Sequence, residues 1–187
     1  MSDLQSLYQT IILEHSKARH GAVDLTPLAD AVALGAASGL HVAESHQINT
    51  TCGDEVTLRV SIDVGDSTET DAAGPAAVAG SPAGLDDPTV TGATVADLVW
   101  AGEGCSISQS SASILTDTLR GLSVSEARAL LDNFRDMLRS RGKIEPDEEI
   151  LGDAAAFGGV SRYPARVKCA MLPWVAFEAA LIEAESR

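Results

Sequence analysis

The sequence predicts an α+β fold, a small antiparallel sheet of about three strands covered on one face by helices. Apolar residues recur at helical spacing near both ends of the chain, and they alternate singly in VTLRVSID, residues 56–63. The order of these patterns is one helix, then strands, then helices, which suits helices packed over a sheet rather than alternating strand-helix units.

Residues 2–16 open with a Ser2–Gln5 capping pair and set Leu4, Leu7, Tyr8, Ile11 and Ile12 on one face of a helix. GLHVAESHQIN, residues 39–49, reads as a first strand. Val56, Leu58, Val60 and Ile62 alternate with polar residues in the second, so TTCGDE is the turn between antiparallel partners. Residues 65–92 contain no Lys, Arg or aromatic residue and carry Pro75, Pro82 and Pro88. Such a stretch cannot bury enough apolar area to offset its ordering entropy, and it is expected to be a flexible insertion between strands. TVADLVWAG resumes as a third strand and ends at Gly102, Glu103, Gly104 and Cys105. A helix follows through SISQSSASILTDTLRG, with Gly121 as its stop signal. Ser123 and Glu126 form a capping box, Leu130, Leu131, Phe134, Met137 and Leu138 mark the buried face of the next helix, and Gly142 ends it. The polar stretch KIEPDEEILGD leads to FGGVSRYPARVKCAML, and a last helix runs through WVAFEAALIEAE. Pro173 is placed in the first turn of that helix, where its missing N–H costs little, which puts Cys169 close to the helix start.

The chain of 187 residues is expected to form one domain over 1–187, with the insertion at 65–92. A net charge of −14 disfavours nucleic acid and anionic membrane surfaces as partners. The opening Ser2, Asp3 and Leu4 lack the basic patch and apolar run expected of a signal peptide, and no run approaches the apolar length of a membrane span. A soluble, cytoplasmic protein is expected. Three widely spaced cysteines, Cys52, Cys105 and Cys169, suit reduced thiols better than a disulfide framework.

Each cysteine could be a small apolar filler. The alternative is chemical. Cys52 and Asp54 flank Gly53, which permits a backbone angle that could turn both side chains to one point, while Cys105 and Cys169 are expected at loop-to-helix junctions that favour a thiolate. If all four converge, three sulfurs and one carboxylate make a tetrahedral site suited to Zn²⁺. Arg166 and Lys168, beside the third cysteine, could offset its negative charge.

CGDEV, GEGCSISQSSAS and FGGVSRYPARVKC, in that order and with LYQTIILEHSKARHG at the start, resemble the SufU proteins of iron–sulfur cluster assembly, relatives of the IscU scaffolds. The similarity spans nearly the whole chain. Lys168 stands where the scaffolds carry a histidine, which favours the SufU branch. The resemblance implies a SufU/IscU-like fold with Cys52, Asp54, Cys105 and Cys169 as zinc ligands. It implies Cys52 as acceptor of persulfide sulfur from a SufS-type cysteine desulfurase, downstream Suf assembly proteins as further partners, and Arg166 as an assisting residue. Freeing Cys52 from the metal is expected to need a replacement ligand, an imidazole of the partner. The long 65–92 segment, Pro173 and Ala18, in place of a proline common in the first loop, depart from the pattern without touching a ligand position. Alternatives are an IscU-like scaffold building a cluster on the same thiolates, a purely structural zinc module, and a cysteine hydrolase using one of His15, His20, His41 or His46. No histidine lies beside a cysteine in these motifs, which disfavours the last.

Overall fold

The sheet explains the placement of everything else. In the computed structural model, which describes residues 3–65 and 92–187, β1 (Leu40–Asn49), β2 (Asp54–Asp63) and β3 (Thr94–Glu103) form an antiparallel sheet in the order β1-β2-β3. Val60 of β2 lies opposite Ala43 and Leu98, and Leu58 lies opposite Ser45 and Trp100. Val56, Leu58, Val60 and Ile62 therefore share one face, and all four are buried, as the alternation in the sequence predicts. Full burial of each such side chain contributes about 1.5–3 kcal/mol.

The helices are α1 (Asp3–Ala18), α2 (Leu28–Ala37), α3 (Ser106–Leu119), α4 (Val124–Arg139), the short α5 (Glu148–Leu151) and α6 (Pro164–Glu185), with a 3-10 run over Gly152–Arg162 before the last. The buried sheet face, α3, α4, the 3-10 run and α6 contribute to one core, in which Phe134 stacks on Trp174 with ring centroids 4.2 Å apart. The Ser123 and Glu126 capping box is present, and the five predicted apolar residues of α4 are buried. The outer edge of β3 is covered by two short segments. Trp100 N–H donates to Gly21 O and Val23 N–H to Trp100 O, both at 2.9 Å, while Val95 exchanges 2.8 Å bonds with Leu122 and Gly121. That leaves little of the edge free to pair with another chain.

Several expectations need correction. α6 starts at Pro164, nine residues before Pro173, so Pro173 lies inside the helix and Cys169 lies in its second turn, away from the N-terminus. Pro164 occupies the first-turn position that suits proline. The helix continues through Pro173 because Leu172, Trp174, Ala176 and Phe177 around it are buried. Ser111 of α3 also donates to the Ala170 carbonyl at 2.6 Å, beside the hydrogen bond that Pro173 cannot make to Cys169 O. α2 was not anticipated. Its Gly35 lies so close to Val42 that an added Cβ would meet Cγ2 at 2.3 Å, and Val42 points to the face opposite Ala43, so one helix covers part of the second face. The polar stretch after α4 contains α5, capped by Asp147, whose carboxylate accepts from the amides of Glu149 and Ile150. In α1, Leu4 and Leu7 are exposed, and only Ile11 and Ile12 pack on the core. The Ser2 cap and residues 66–91 of the predicted insertion lie outside the described residues. Among those described, no helix is long and apolar enough to cross a membrane.

Candidate metal centre

Cys52 and Asp54, Cys105, and Cys169 come from three separate segments of the chain and gather at one end of the sheet. β1 ends at Asn49 and β2 begins at Asp54, its register partner. The turn between them carries Cys52, and Gly53 adopts φ +80°, the left-handed angle expected of that glycine. Asn49 builds the turn. Its backbone carbonyl accepts from the amides of Cys52 (3.2 Å) and Gly53 (2.8 Å), and its side-chain oxygen accepts from Thr51 N–H at 3.1 Å.

Asp54 is buried and binds Cys105 twice. One carboxylate oxygen accepts from the Cys105 amide at 3.0 Å, and the other lies 3.2 Å from Sγ. Cys105 is the N-cap residue of α3, so this contact also satisfies an amide at the helix start. Gly104 has no room for a side chain, since a Cβ there would meet Ser108 Oγ at 2.5 Å and Asp54 Cγ at 2.9 Å. From the opposite side, Cys169 brings its Sγ to 3.5 Å from Cys52 Sγ, and Asn49 Nδ2 donates to it at 3.5 Å. Ligand atoms of Cys52, Asp54 and Cys169 all lie within 4.8 Å of one another, and Cys105 joins them through Asp54.

Burial raises the Cys169 thiol pKa well above the ordinary range, and the Cys52 thiol and Asp54 carboxylate add to the effect. Burial acts upward on Asp54 as well. Hydrogen bonds from the Cys105 thiol and amide, with Cys169 and Ser108, outweigh it and hold that carboxyl below its usual value. The donor set fits a tetrahedral dication. With metal–sulfur bonds of about 2.3 Å and a metal–oxygen bond near 2.1 Å, tetrahedron edges would measure about 3.6–3.8 Å. The Cys52–Cys169 sulfur separation of 3.5 Å is close to this and the Cys105 Sγ–Asp54 separation of 3.2 Å is shorter, while Cys105 lies outside the three donors whose ligand atoms are all within 4.8 Å, so closing the tetrahedron requires its sulfur to move inward.

Among the described residues, no hydrogen bond or ion pair joins the Arg166 guanidinium to the thiols. Arg166 is exposed, with its guanidinium carbon 5.1 Å from the centroid of the Tyr163 ring. Lys168 donates at 3.4 Å to Oγ1 of Thr51, the residue before Cys52. Asn49 and Ser108 were missed by sequence reasoning. Asn49 carried one usable signal, an Asx residue at a strand end before a glycine-containing turn. The hydroxyl of Ser108, which bonds Cys105 O at 3.0 Å, carried none.

The family model of the NifU-like N-terminal domain matches residues 89–170. The iron-sulfur cluster assembly scaffold protein IscU of Streptococcus pyogenes serotype M1 is 31% identical over 97% of this chain and 86% of its own length. The zinc-dependent sulfurtransferase SufU of Bacillus subtilis is also 31% identical, over 98% of this chain and 95% of its own. A crystal structure of a candidate iron-sulfur cluster assembly scaffold protein for the SUF system from Fervidobacterium islandicum AW-1 superposes with a TM-score of 0.59 at 27% identity, covering 95% of this chain and 98% of that one. The N-terminal NifU-like protein of Brucella abortus, 19% identical, gives 0.64 over 100% and 99% of the two chains and supports the fold.

Proposed function

Because the chain belongs to the IscU/SufU family of iron–sulfur cluster assembly proteins, we propose that it acts there as a zinc-dependent sulfurtransferase, taking persulfide sulfur from a SufS-type cysteine desulfurase onto Cys52. The observation that carries this reading is the unequal mounting of the four donors. Asp54 is fixed in a strand, Cys105 at a helix N-cap and Cys169 inside a helix, whereas Cys52 sits on a turn; of the three thiols Cys52 and Cys105 are exposed, and only Cys52 lies outside a helix or its cap. It is the donor best placed to leave the cluster and meet a group from outside.

Zinc bound by Cys52, Asp54, Cys105 and Cys169 would stabilise their deprotonated forms and tie the sheet end to α3 and α6. The protein's own residues do the rest. Asn49 holds the Cys52 turn and donates to Cys169, and Cys105 with Ser108 keeps Asp54 ionised. The Cys52 thiolate attacks the terminal sulfur of the desulfurase persulfide, the sulfur–sulfur bond of the donor breaks, and the donor leaves as a thiolate. Cys52 then carries S–SH, with no net change in oxidation state. Lys168, whose side chain reaches Thr51, supplies positive charge beside the incoming anionic sulfur. Arg166, on the exposed first turn of α6, is suited to contacting the desulfurase rather than the thiols.

The test combines elemental analysis with a desulfurase assay. Wild-type protein should carry one zinc, remain colourless and accelerate cysteine desulfuration, while Cys52→Ala should accept no sulfur. Sulfur acceptance by Cys52→Ala at the wild-type rate would sink the proposal. Brown protein containing iron and labile sulfide would favour the second reading, a cluster scaffold on the same thiolates, which the IscU names of relatives support.

A further inference from the structure

We propose that His15, His20 and Asp117 form a second, separate site for an exchangeable first-row divalent transition-metal ion, with Asp153 orienting His15. Ligand atoms of the first three lie within 4.8 Å of one another. They come from the last turn of α1, the turn after it and the later part of α3, and Asp153 comes from the 3-10 run. Asp117 lies twelve residues beyond Cys105 along α3, about 18 Å of helix, so the two centres stand near opposite ends of one rod. The second is independent of the proposed sulfur transfer.

Both imidazoles are positioned in advance. The His15 side chain is only 12% exposed, with Nε2 3.3 Å from Asp153 Oδ2 and Nδ1 2.9 Å from Ser113 Oγ. Ser113 Oγ already accepts the His20 amide proton at 3.0 Å and can give its own proton to Nδ1, which leaves the Nε2 proton for Asp153. That hydroxyl proton occupies the single Nδ1 lone pair, so an ion binds His15 as Ser113 turns its proton away and frees Nδ1, 4.0 Å from Asp117 Oδ2, to coordinate. A carboxylate holding the far nitrogen of an imidazole is the arrangement that orients metal-bound histidines.

His20 is fixed through its backbone. Its N–H is held by Ser113, and its carbonyl accepts Trp100 Nε1–H at 2.8 Å. The following Gly21 has φ +76° and lies against α3, where an added Cβ would meet Thr116 Cγ2 at 2.5 Å. The His20 ring is thereby directed at Asp117, and its Nδ1 contacts Oδ2 directly. Two imidazole nitrogens aimed at one carboxylate oxygen make a two-nitrogen, one-oxygen donor set suited to Fe²⁺, Co²⁺, Ni²⁺ or Zn²⁺. The half-exposed His20 and Asp117 leave a path for the ion and open positions for water. The chain's net charge of −14 favours cation approach.

The full chain is first loaded with one equivalent of Zn²⁺ to fill the thiol centre, then titrated with Co²⁺ by calorimetry and visible absorption. We expect a second equivalent to bind without a thiolate-to-cobalt absorption band. His20→Ala and Asp117→Asn should each remove that equivalent while keeping the first zinc, and Asp153→Asn should weaken it about 10–100-fold. His46→Ala, at an exposed histidine elsewhere on the sheet, should leave it unchanged. Should Asp117→Asn fail to fold, His20→Gln, altered at a half-exposed ring, gives the same readout. The proposal is overturned by no second equivalent in the wild type, by a thiolate band accompanying it, by its survival in the His20 variants, or by its loss in His46→Ala.

Discussion

Ser111→Ala tests the link between the two helices that carry Cys105 and Cys169. Ser111 and Trp174 are both fully buried. The Ser111 hydroxyl donates to Ala170 O at 2.6 Å and accepts from Trp174 Nε1 at 3.0 Å, so its removal strands a donor and weakens the satisfaction of an acceptor in a dry interior. Each such group costs about 1–3 kcal/mol, and we expect a loss of about 2–4 kcal/mol. For a chain of this size that corresponds to a fall in Tm of about 5–15 °C. Urea unfolding followed by circular dichroism, in chelator so that metal binding does not enter the free energy, measures it directly. Trp174→Phe provides the second arm, because Phe can keep the stacking on Phe134 while removing the N–H. In that background Ser111→Ala should cost at least about 1 kcal/mol less than in the wild type. A single-variant loss under about 0.5 kcal/mol, or strictly additive losses, would refute the reasoning.

Gly104→Ala should lower zinc affinity about 10–100-fold with the fold retained, because its methyl would displace Ser108 and Asp54; competition against a chromophoric chelator measures it. Removing zinc should lower Tm by about 8–16 °C when the comparison is made at a thousandfold excess over Kd, and an unchanged melt after confirmed metal loss would contradict a stabilising site. Ser123→Ala should cost about 1 kcal/mol, since it removes the N-cap of α4. The Ser123 hydroxyl and amide hold Glu126 below its ordinary value of 4.5, the carboxylate being favoured in the folded state. That contribution is complete above pH 4.5 and is lost as pH falls through the lower folded value, so wild type and Ser123→Ala should converge in urea midpoint on acidification.

Sequence periodicity was readable where one face meets the core and the other meets water. Val56, Leu58, Val60 and Ile62 marked β2, and the Ser123–Glu126 pair marked the start of α4. It failed where that contrast is absent. α2 reads LADAVALGAA, with Ala or Leu at most positions, and Gly35 is its one buried residue, so no apolar stripe identifies it. The start of α6 was misplaced because Pro173 looks like a boundary locally, whereas burial of Trp174 and Phe177 carries the helix through it. The four candidate ligands were legible as a motif set. The role of Asn49 was not, because its bond to Cys169 spans 120 residues.

The thiol cluster follows from where the elements end. β2 pairs with both neighbours, so the end of β1, the start of β2 and the end of β3 lie together, and a residue opening β2 on the buried face must point under the helices. Asp54 occupies that position. The chain leaving β3 turns at once into α3, whose first free amide meets the Asp54 carboxylate, and α6 crosses β1 and β2 with Cys169 turned toward the same point. Three donors are thus set by packing that would remain if the fourth moved. Cys52 is held by a turn, one long contact to Asn49 O and one to Cys169, so shifting it disturbs little buried surface. A site built this way can keep its frame while one sulfur exchanges partners, which a cluster of four equally buried ligands could not do without opening the core.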